Sequence, residues 1–302
     1  MKLLQYPFNC HDKNKESMIR MCKVFNIEFE ATNDRNRIKE DTYDILWLPT
    51  EWIEPNEIPL RVKILYGPQH FVFPDPLHHR VCVPKGPEDP FLSKRAFYIC
   101  LSNWIEQVFL EFSPSFRIPL KAFPFGVKEL PQRNLTNVSY DCIFYSKRRD
   151  PALYTSIKQT LQDMNLTFRE FSYGSYRDSD YQDALQKTKL IVWLGCHESQ
   201  GFAFQEAMSR NIPILVLDVE SMFDEWNVYN HLKGQKQLKA TTASWWCDKG
   251  RCGEKLHSTE EFETTLRKML DNIEKYSPAS FVKENLSDEV CMKRILDTFN
   301  QS

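Results

Sequence analysis

The stretch that decides the fold is residues 191–213, which read IVWLGCHESQGFAFQEAMSRNIP. An uninterrupted apolar run ends near Leu194, which is typical of a strand buried on both faces of a parallel sheet. A loop that contains Glu198 follows, and a helix is predicted to begin near Phe202 and to end before Pro213, which cannot continue it. The order strand, loop, helix, strand indicates an α/β fold with a parallel sheet.

The same alternation extends in both directions along the chain. Predicted strands lie, in chain order, at 44–48, 62–66, 96–101, 119–123, 140–145, 166–171, 190–194 and 214–217. Amphipathic helical stretches separate several of them, and two such series flank the polar segment 128–139. This pattern predicts two Rossmann-like domains, residues 1–127 and 128–285, that face each other across a cleft.

Composition narrows the class of protein. The 302 residues carry a formal net charge of −2, whereas a general nucleic-acid binder has a strong basic excess. No apolar run reaches the roughly 18 residues that a membrane span needs. The start of the chain lacks the apolar core of a secretion signal, and the nine cysteines are scattered singly. We therefore expect reduced thiols and a cytoplasmic protein without nucleic-acid partners or a membrane span.

The start of the helix after Glu198 is a predicted anion site. The backbone N–H groups of Gly201, Phe202 and Ala203 would favour an anion through hydrogen bonding and the helix macrodipole. Gly201 would let a ligand approach the backbone closely. Glu198 before the helix and Glu206 just over one turn inside it could accept hydrogen bonds from a sugar and from a ribose. With a diphosphate between them, this is the layout of a nucleotide-sugar.

The stretch resembles the signature of retaining GT-B glycosyltransferases, and of glycosyltransferase family 4 in particular. That signature reads Glu-x7-Glu with Gly-Phe inside it and Glu-Ala-Met at its end. Glu198 and Glu206 have this spacing, and residues 201–202 and 206–208 match the rest. The resemblance implies that Glu198 contacts the donor sugar and Glu206 the nucleotide ribose. One departure is that residues 199–200, Ser-Gln, follow the first glutamate where the family often has glycine.

Cations follow the first strand of the second domain, where the family binds the donor diphosphate with an Arg/Lys pair. The strand ends in Ser146, and Lys147, Arg148 and Arg149 come next. Three contiguous cations leave open which of them reach the phosphates. We expect Lys147 and Arg148 to stabilise the departing diphosphate, with Ser146 beside them in the donor site. Tyr173, after the next strand, is either a platform for the nucleotide base or part of a plain turn.

The first domain resembles the family only in outline. His70 follows the strand at 62–66 and could hydrogen-bond the donor sugar or the acceptor, although a lone histidine is more often structural. Residues 121–127 resemble the family's Pro-Asn-Gly-Val linker. The tail resembles its closing helix, which implies that residues 286–302 cross back to the first domain. The glycine-rich loop that many such enzymes have after their first strand is missing.

Two patterns that suggest a metal have other interpretations. Asp178 and Asp180 spell Asp-x-Asp, which binds a metal in GT-A glycosyltransferases when it closes an apolar strand. Here a polar turn precedes it, so a helix N-terminal cap is the better interpretation. Cys247 and Cys252, with His257 beyond, lack a second ligand pair for zinc. We therefore expect no essential metal, and no cofactor other than the nucleotide-sugar substrate.

The interpretation that the sequence favours is a metal-independent glycosyltransferase. It would transfer a hexose or pentose from a UDP- or GDP-sugar to a hydroxyl acceptor such as a glycan, and the resemblance implies retention of the anomeric configuration. The first alternative is a nucleotide-sugar epimerase on the same scaffold. The others are a catalytically degenerate module that binds a nucleotide or a glycan, and a metal-dependent GT-A enzyme that uses Asp178 and Asp180.

Overall fold

The chain divides into two compact units, one of which takes up both ends of the sequence. The computed structural model describes residues 1–68, 86–112, 115–226, 238–247 and 249–301. The first unit consists of Met1–Gly126 together with Leu286–Ser302, and the second consists of Val127–Asn285. In the described part of the chain, each unit contains one β-sheet.

The sheet of the first unit is parallel throughout. Its strands are β1 (Lys2–Gln5), β2 (Glu28–Ala31), β3 (Ile45–Leu48), β4 (Lys63–Tyr66), β5 (Ala96–Cys100) and β6 (Leu120–Ala122). They pair in the order β2-β1-β3-β4-β5-β6. Helix α1 (Asp12–Val24) follows β1, and helix α2 (Asn103–Phe112) follows β5. The last four strands begin and end within one residue of the predicted bounds, and β3 and β5 are continuous apolar runs that the sheet buries along their whole length.

The second unit has the same architecture. Its strands are β7 (Tyr140–Ser146), β8 (Phe168–Ser172), β9 (Thr188–Leu194), β10 (Ile214–Leu217) and β11 (Gly253–Leu256). Its helices are α3 (Pro151–Asp163), α4 (Asp178–Leu185), α5 (Phe202–Ser209), α6 (Phe262–Asp271) and α7 (Pro278–Asn285). The strands pair in parallel in the order β11-β10-β9-β7-β8. The prediction of an α/β fold with parallel sheets is confirmed.

One side of the second sheet packs on α3 and α6 through an apolar cluster. Its buried members include Phe144, Ile157, Leu161, Val192, Leu215, Leu266 and Met269. Burying one such side chain stabilises the fold by roughly 1.5–3 kcal/mol. The opposite face is also buried and apolar, with Ile143, Ile191 and Val216 fully buried, so polar residues lie at the ends of the strands. None of the helices in the described residues is long and apolar enough to cross a membrane.

Helix α3 begins three residues before the predicted start at Tyr154. The side chain of Asp150 accepts a hydrogen bond from Ala152 N at 2.8 Å, and Pro151 occupies the first helical position, where its missing N–H costs nothing. These capping residues therefore place the helix start directly after the run of cations at 147–149.

The last helix, α8 (Asp288–Gln301), packs on α1 within the first unit. Arg20 of α1 donates from Nε to Asp288 Oδ2 at 3.0 Å and from Nη2 to Gly126 O at 2.8 Å. A Cβ at Gly126 would lie 2.1 Å from Asp288 Oδ1, so only glycine fits there. Arg20 thus links Gly126, at the end of the first segment of this unit, to Asp288, near the start of its second segment.

Candidate functional site

The candidate site lies at the carboxyl ends of three neighbouring strands of the second sheet. Ser146 at the end of β7 pairs in register with Leu194 of β9 and with Ser172 of β8. Beyond it, Lys147 N donates to Leu194 O at 3.0 Å. On the other side, Tyr173 N donates to Ser146 O at 2.9 Å. The loops after β7, β8 and β9 therefore start side by side, at the edge of the sheet where α/β proteins bind ligands.

Lys147 and Glu198, 51 positions apart in the chain, form an ion pair at this edge, with Nζ 2.9 Å from Oε1. Only 7% of the Lys147 side chain and 13% of the Glu198 side chain are exposed. Burial acts to lower the pKa of Lys147, but the Glu198 carboxylate outweighs it and the pKa lies above its ordinary value. Burial raises the pKa of Glu198, and Lys147 offsets part of that rise. The lysine therefore carries its charge at neutral pH.

The backbone of Glu198 is held by residues 241–244, a segment that no sequence motif marks. Glu198 N donates to Thr241 O at 3.1 Å, and Ser244 Oγ donates to Glu198 O. The segment is fixed in turn by Asp218, whose Oδ2 accepts from Thr241 Oγ1 at 2.7 Å. Asp218 follows β10, so the strand next to β9 supports the loop that carries Glu198.

Gly195 lets this segment come close to the end of β9. Trp193 Nε1 donates to Thr242 Oγ1 at 3.0 Å. A Cβ at Gly195 would lie 2.5 Å from the same hydroxyl oxygen and 2.2 Å from the indole nitrogen. Any other residue at this position would displace the segment that holds Glu198.

Helix α5 begins close behind Glu198. Gly201 is its N-cap residue, with a φ of +82° in the left-handed region, and a Cβ there would lie 3.4 Å from Glu198 Cβ. Phe202 and Ala203 are the first two helical residues, as predicted. Tyr181 fixes this turn because its hydroxyl donates to Ala203 O at 3.0 Å. The first-turn amides of a helix have no acceptor within the helix, and its macrodipole adds positive potential.

Glu206 belongs to a different part of the site. It lies in α5 with 9% of its surface exposed, and its Oε2 accepts a hydrogen bond from Gln182 Nε2 at 2.7 Å. Arg210 Nη2 donates to the Oε1 of the same glutamine at 3.0 Å. Glu206 is therefore a buried, oriented carboxylate and not a solvated helix residue. Its contact with a ribose stays a prediction.

The three contiguous cations have three different surroundings. Arg148 is 55% exposed, and its Nη1 donates to Glu225 Oε1 at 2.7 Å. Arg149 turns inward, where its Nη1 donates to Gly195 O at 2.8 Å and to Leu217 O at 2.9 Å. Arg149 therefore ties together the ends of β9 and β10. Lys147 and Arg148, the two residues expected to bind phosphates, do not take part in this link between strand ends; each is paired with a glutamate instead.

Tyr173 and Ser146 flank the cations. Tyr173 is 52% exposed, and Lys147 Nζ lies 4.5 Å from its ring centroid. The ring is thus an accessible surface beside the two cations, and its contact with a nucleotide base stays a prediction. Ser146 is buried, with its Oγ 2.8 Å from Ser172 Oγ. This hydroxyl pair fixes the ends of β7 and β8 relative to each other.

One group of described residues has metal-ligating atoms close together. Atoms of Cys196, His197 and Glu225 lie within 4.8 Å of one another, and such a thiol, imidazole and carboxylate set suits zinc. The protonation states of its members bear on this use in opposite ways. Burial, and then the charges of Lys147 and Arg148, lower the pKa of His197 to about 3, and a neutral imidazole can bind a metal. Burial raises the pKa of Cys196 to about 12, which opposes the loss of the thiol proton that a zinc ligand requires.

The other sequence patterns fall outside this site or outside the described residues. Asp178 is the first residue of α4, whose N-cap is Arg177, so the expectation of an aspartate cap is wrong. Asp180 accepts from Arg177 Nε at 3.0 Å. Among the described residues, Cys247, Cys252 and His257 form no metal-ligand group. His70 lies outside the described residues.

The whole fold is similar to that of glycosyltransferases of known structure. The lipopolysaccharide outer core galactosyltransferase WaaB, in its apo form, matches with a TM-score of 0.54 at 12% identity, over 100% of this chain and 99% of WaaB. TarM matches with a TM-score of 0.51 at 13% identity, over 88% of this chain and 56% of TarM. A complex of S. aureus TarM with fondaparinux, alpha-GlcNAc-glycerol and UDP matches with a TM-score of 0.50 at 13% identity, over 88% and 57%.

These similarities define the fold. No protein-family model matches the chain, and no curated protein matches it by sequence. The chain spans slightly more than half the length of TarM and nearly all of WaaB. Two units with parallel sheets, together with these structural neighbours, give the chain the two-domain α/β GT-B fold that the sequence predicts.

Proposed function

We propose that this chain is a glycosyltransferase that moves a sugar from a nucleotide-sugar donor to a hydroxyl acceptor, without an essential metal. The observation that carries the proposal is the buried Lys147–Glu198 pair next to the start of α5 at Gly201. A cation and a helix start together favour a phosphate, and a carboxylate beside them can accept hydrogen bonds from sugar hydroxyls. The GT-B fold supports the same class of reaction.

Lys147 can serve Glu198 and the donor at the same time. Its ammonium group has three N–H donors, one of which is directed at Glu198. A second can reach a phosphate oxygen, so that the lysine links the sugar-binding carboxylate to the leaving group. Arg148 supplies another cation at the same turn. In this arrangement the diphosphate lies at the start of α5, the sugar at Glu198 and the ribose at Glu206.

The donor we propose is a UDP-hexose. S. aureus TarM forms a complex with UDP, and WaaB is a galactosyltransferase. A glycan hydroxyl is the proposed acceptor, since the TarM complex also contains fondaparinux and alpha-GlcNAc-glycerol. The exposed ring of Tyr173 beside the cations provides a face on which a uracil base can stack.

The proposed reaction retains the configuration at the anomeric carbon. The bond between the anomeric carbon and the diphosphate oxygen breaks, and its electron pair leaves with the diphosphate. The acceptor oxygen bonds to the same face of the sugar, and its proton passes to the departing phosphate. Lys147, Arg148 and the helix macrodipole stabilise the charge that develops there. Removing one such electrostatic group typically costs about 10²–10³ in rate.

The experiment that tests this function is a donor panel with product analysis. Nucleotide release is measured from UDP-galactose, UDP-glucose, UDP-GlcNAc and GDP-mannose, with and without EDTA, and NMR assigns the anomeric configuration of the product. We expect release from a UDP-sugar that EDTA does not reduce, and at least a 100-fold loss in Glu198→Gln. Full turnover in Glu198→Gln contradicts the proposal, and interconversion of the sugar without nucleotide release identifies an epimerase.

A further inference from the structure

Glu225 is a buried carboxylate that the reaction above does not use. Only 2% of its side chain is exposed, and it directly follows the 3-10 turn Met222–Asp224 beyond β10. Its Oε1 accepts from Arg148 Nη1 at 2.7 Å, and its Oε2 lies 3.4 Å from His197 Nδ1. Glu225 therefore connects the turn after β7 with the loop after β9 that also carries Glu198.

Arg148 is the cation that balances this buried charge. A buried carboxylate without a counter-charge is strongly unfavourable. His197 does not supply one, because burial and the charges of Lys147 and Arg148 lower its pKa to about 3 and leave it neutral at pH 7. If Arg148 moved away from Glu225, the carboxylate would remain buried without a counter-charge, and the fold would be destabilised. Its guanidinium is held in one orientation even before a ligand binds.

The backbone of Arg148 is fixed by Trp226, the residue that follows Glu225 in the chain. Arg148 has a φ of +46°, in the left-handed region that residues with a side chain rarely adopt. Trp226 N donates to Arg148 O at 2.8 Å and so holds this conformation. Glu225 and Trp226, two consecutive residues, therefore bind the side chain and the carbonyl of the same arginine.

Although it is fixed in this way, Arg148 still presents much of its guanidinium to solvent. The side chain is 55% exposed, and its Cζ lies 6.0 Å from the ring centroid of Tyr173. A guanidinium has five N–H donors in one plane, and the contact with Glu225 uses one side of it. The remaining N–H donors of the guanidinium therefore have a fixed orientation at the carboxyl end of β7.

We propose that Glu225 is a positioning residue, which holds the Arg148 guanidinium in the orientation that binds the donor's diphosphate before the donor arrives. This inference rests on the proposed function and extends it to a residue that no sequence motif indicates. A cation that is already oriented loses less conformational entropy when the ligand binds, so the gain appears as affinity for the phosphates. The affinity for the nucleoside part of the donor does not depend on the orientation of Arg148.

The chain contains a matched control in the same segment. Glu220 also lies beside a histidine, with its Oε1 3.9 Å from His257 Nδ1, but its side chain is 80% exposed. Glu220→Gln therefore removes the same charge from the same segment without touching Arg148. Glu225→Asp is a second test variant, because it keeps the buried charge that the fold needs and withdraws the carboxylate by one methylene.

The experiment compares UDP with uridine, which lacks the phosphates, by ligand-observed NMR titration. We expect Glu225→Gln to weaken UDP binding about ten-fold, which is the usual size of one charge-assisted hydrogen bond, and to leave uridine binding unchanged. Glu225→Asp weakens UDP in the same selective way, and Glu220→Gln weakens neither ligand. In Arg148→Ala, the added Glu225→Gln change has no further effect on UDP.

Each contrary result has a distinct meaning. If Glu225→Gln and Glu225→Asp weaken uridine as much as UDP, or behave like Glu220→Gln while the wild type binds UDP, the positioning role is wrong and the proposed function stands. If the wild-type chain binds no nucleotide, both fail. Tight zinc binding that Cys196→Ser abolishes also overturns the inference, since the metal would take Glu225 from Arg148.

Discussion

Two lysine–glutamate pairs of the second unit have nearly the same geometry and different surroundings. Lys147 Nζ lies 2.9 Å from Glu198 Oε1, and Lys158 Nζ lies 2.8 Å from Glu170 Oε1. The first pair is 7% and 13% exposed, the second 36% at each residue. An exposed pair stabilises a fold by about 0–1 kcal/mol, and burial of a pair costs roughly what the attraction returns. Neither pair is therefore explained by a large gain in stability.

Their positions in the fold separate them. Glu170 lies within β8 and meets Lys158 of α3, so that pair joins a strand to a helix on the surface. Lys147 and Glu198 both follow strand ends, at the edge of the sheet where α/β proteins bind ligands. A lysine and a glutamate at the same distance therefore form a candidate binding group because of their location and burial, and not because of their geometry.

The largest expected effect is a difference in rate between two single variants, each of which lacks the lysine of one pair. Lys147→Gln takes away a cation that stabilises the leaving diphosphate, and we expect the rate of UDP release from a UDP-sugar to fall about 100-fold or more. Lys158→Gln removes the same charge from the exposed pair, and its rate stays within two-fold of wild type. Equal losses of rate in the two variants would contradict a role in the reaction that is specific to Lys147.

The next effect is a dependence of stability on pH that His197 causes. Its folded-state pKa of about 3 lies below the ordinary value of 6.5, so below pH 6.5 the unfolded chain takes up a proton that the folded chain does not. Stability from this group is complete above pH 6.5 and falls as the pH drops towards 3, by up to about 1.4 kcal/mol per pH unit.

Urea unfolding at pH 7, 6 and 5 measures this slope. We expect His197→Asn to lose that part of the slope, whereas His257→Asn, a change at an exposed histidine, keeps it. Identical slopes in all three proteins would show that His197 is not held neutral beside the Lys147–Glu198 pair.

A smaller effect is expected at two glycines with similar backbones. Gly201 has a φ of +82° and Gly174 a φ of +78°, where an alanine is strained by about 1–2 kcal/mol. Both alanine variants should lower the melting temperature by a similar amount. Only Gly201→Ala should also weaken UDP binding. Gly201 is the N-cap residue of α5, and a Cβ there would lie 3.4 Å from Glu198 Cβ, whereas nothing lies within 4 Å of a Cβ at Gly174. Unchanged UDP binding in Gly201→Ala would argue against a phosphate at the start of α5.

The smallest effect concerns the stability that the exposed pair provides. We expect Glu170→Gln to change the free energy of unfolding in urea by no more than about 1 kcal/mol, since water and salt screen this pair. A loss of several kcal/mol would mean that Glu170 has a structural role that its exposure does not indicate.

Much of the fold and part of the candidate site could be predicted from local sequence. Continuous apolar runs mark buried parallel strands, and the rule that ligands bind at strand ends directs attention to Lys147 and Glu198. The structure brings these two residues together across 51 positions. The helix start at Gly201 follows from the same local pattern, because glycine and the following apolar residues define it.

The supporting residues could not be predicted because their partners are far away in the chain. Glu225 meets Arg148 across 77 positions, and neither residue lies in a motif that names the other. The inward turn of Arg149 depends on carbonyl groups at the ends of β9 and β10, which a run of three cations does not reveal. The role of residues 241–244 depends in the same way on Asp218.

A crystal structure of the chain with UDP would locate the phosphates relative to Lys147 and helix α5. We expect diphosphate oxygens within hydrogen-bonding distance of Lys147 Nζ and of the first-turn amides of α5, with the ribose hydroxyls at Glu206. UDP bound elsewhere, or bound with its phosphates directed away from Lys147 and α5, would contradict the proposed donor site.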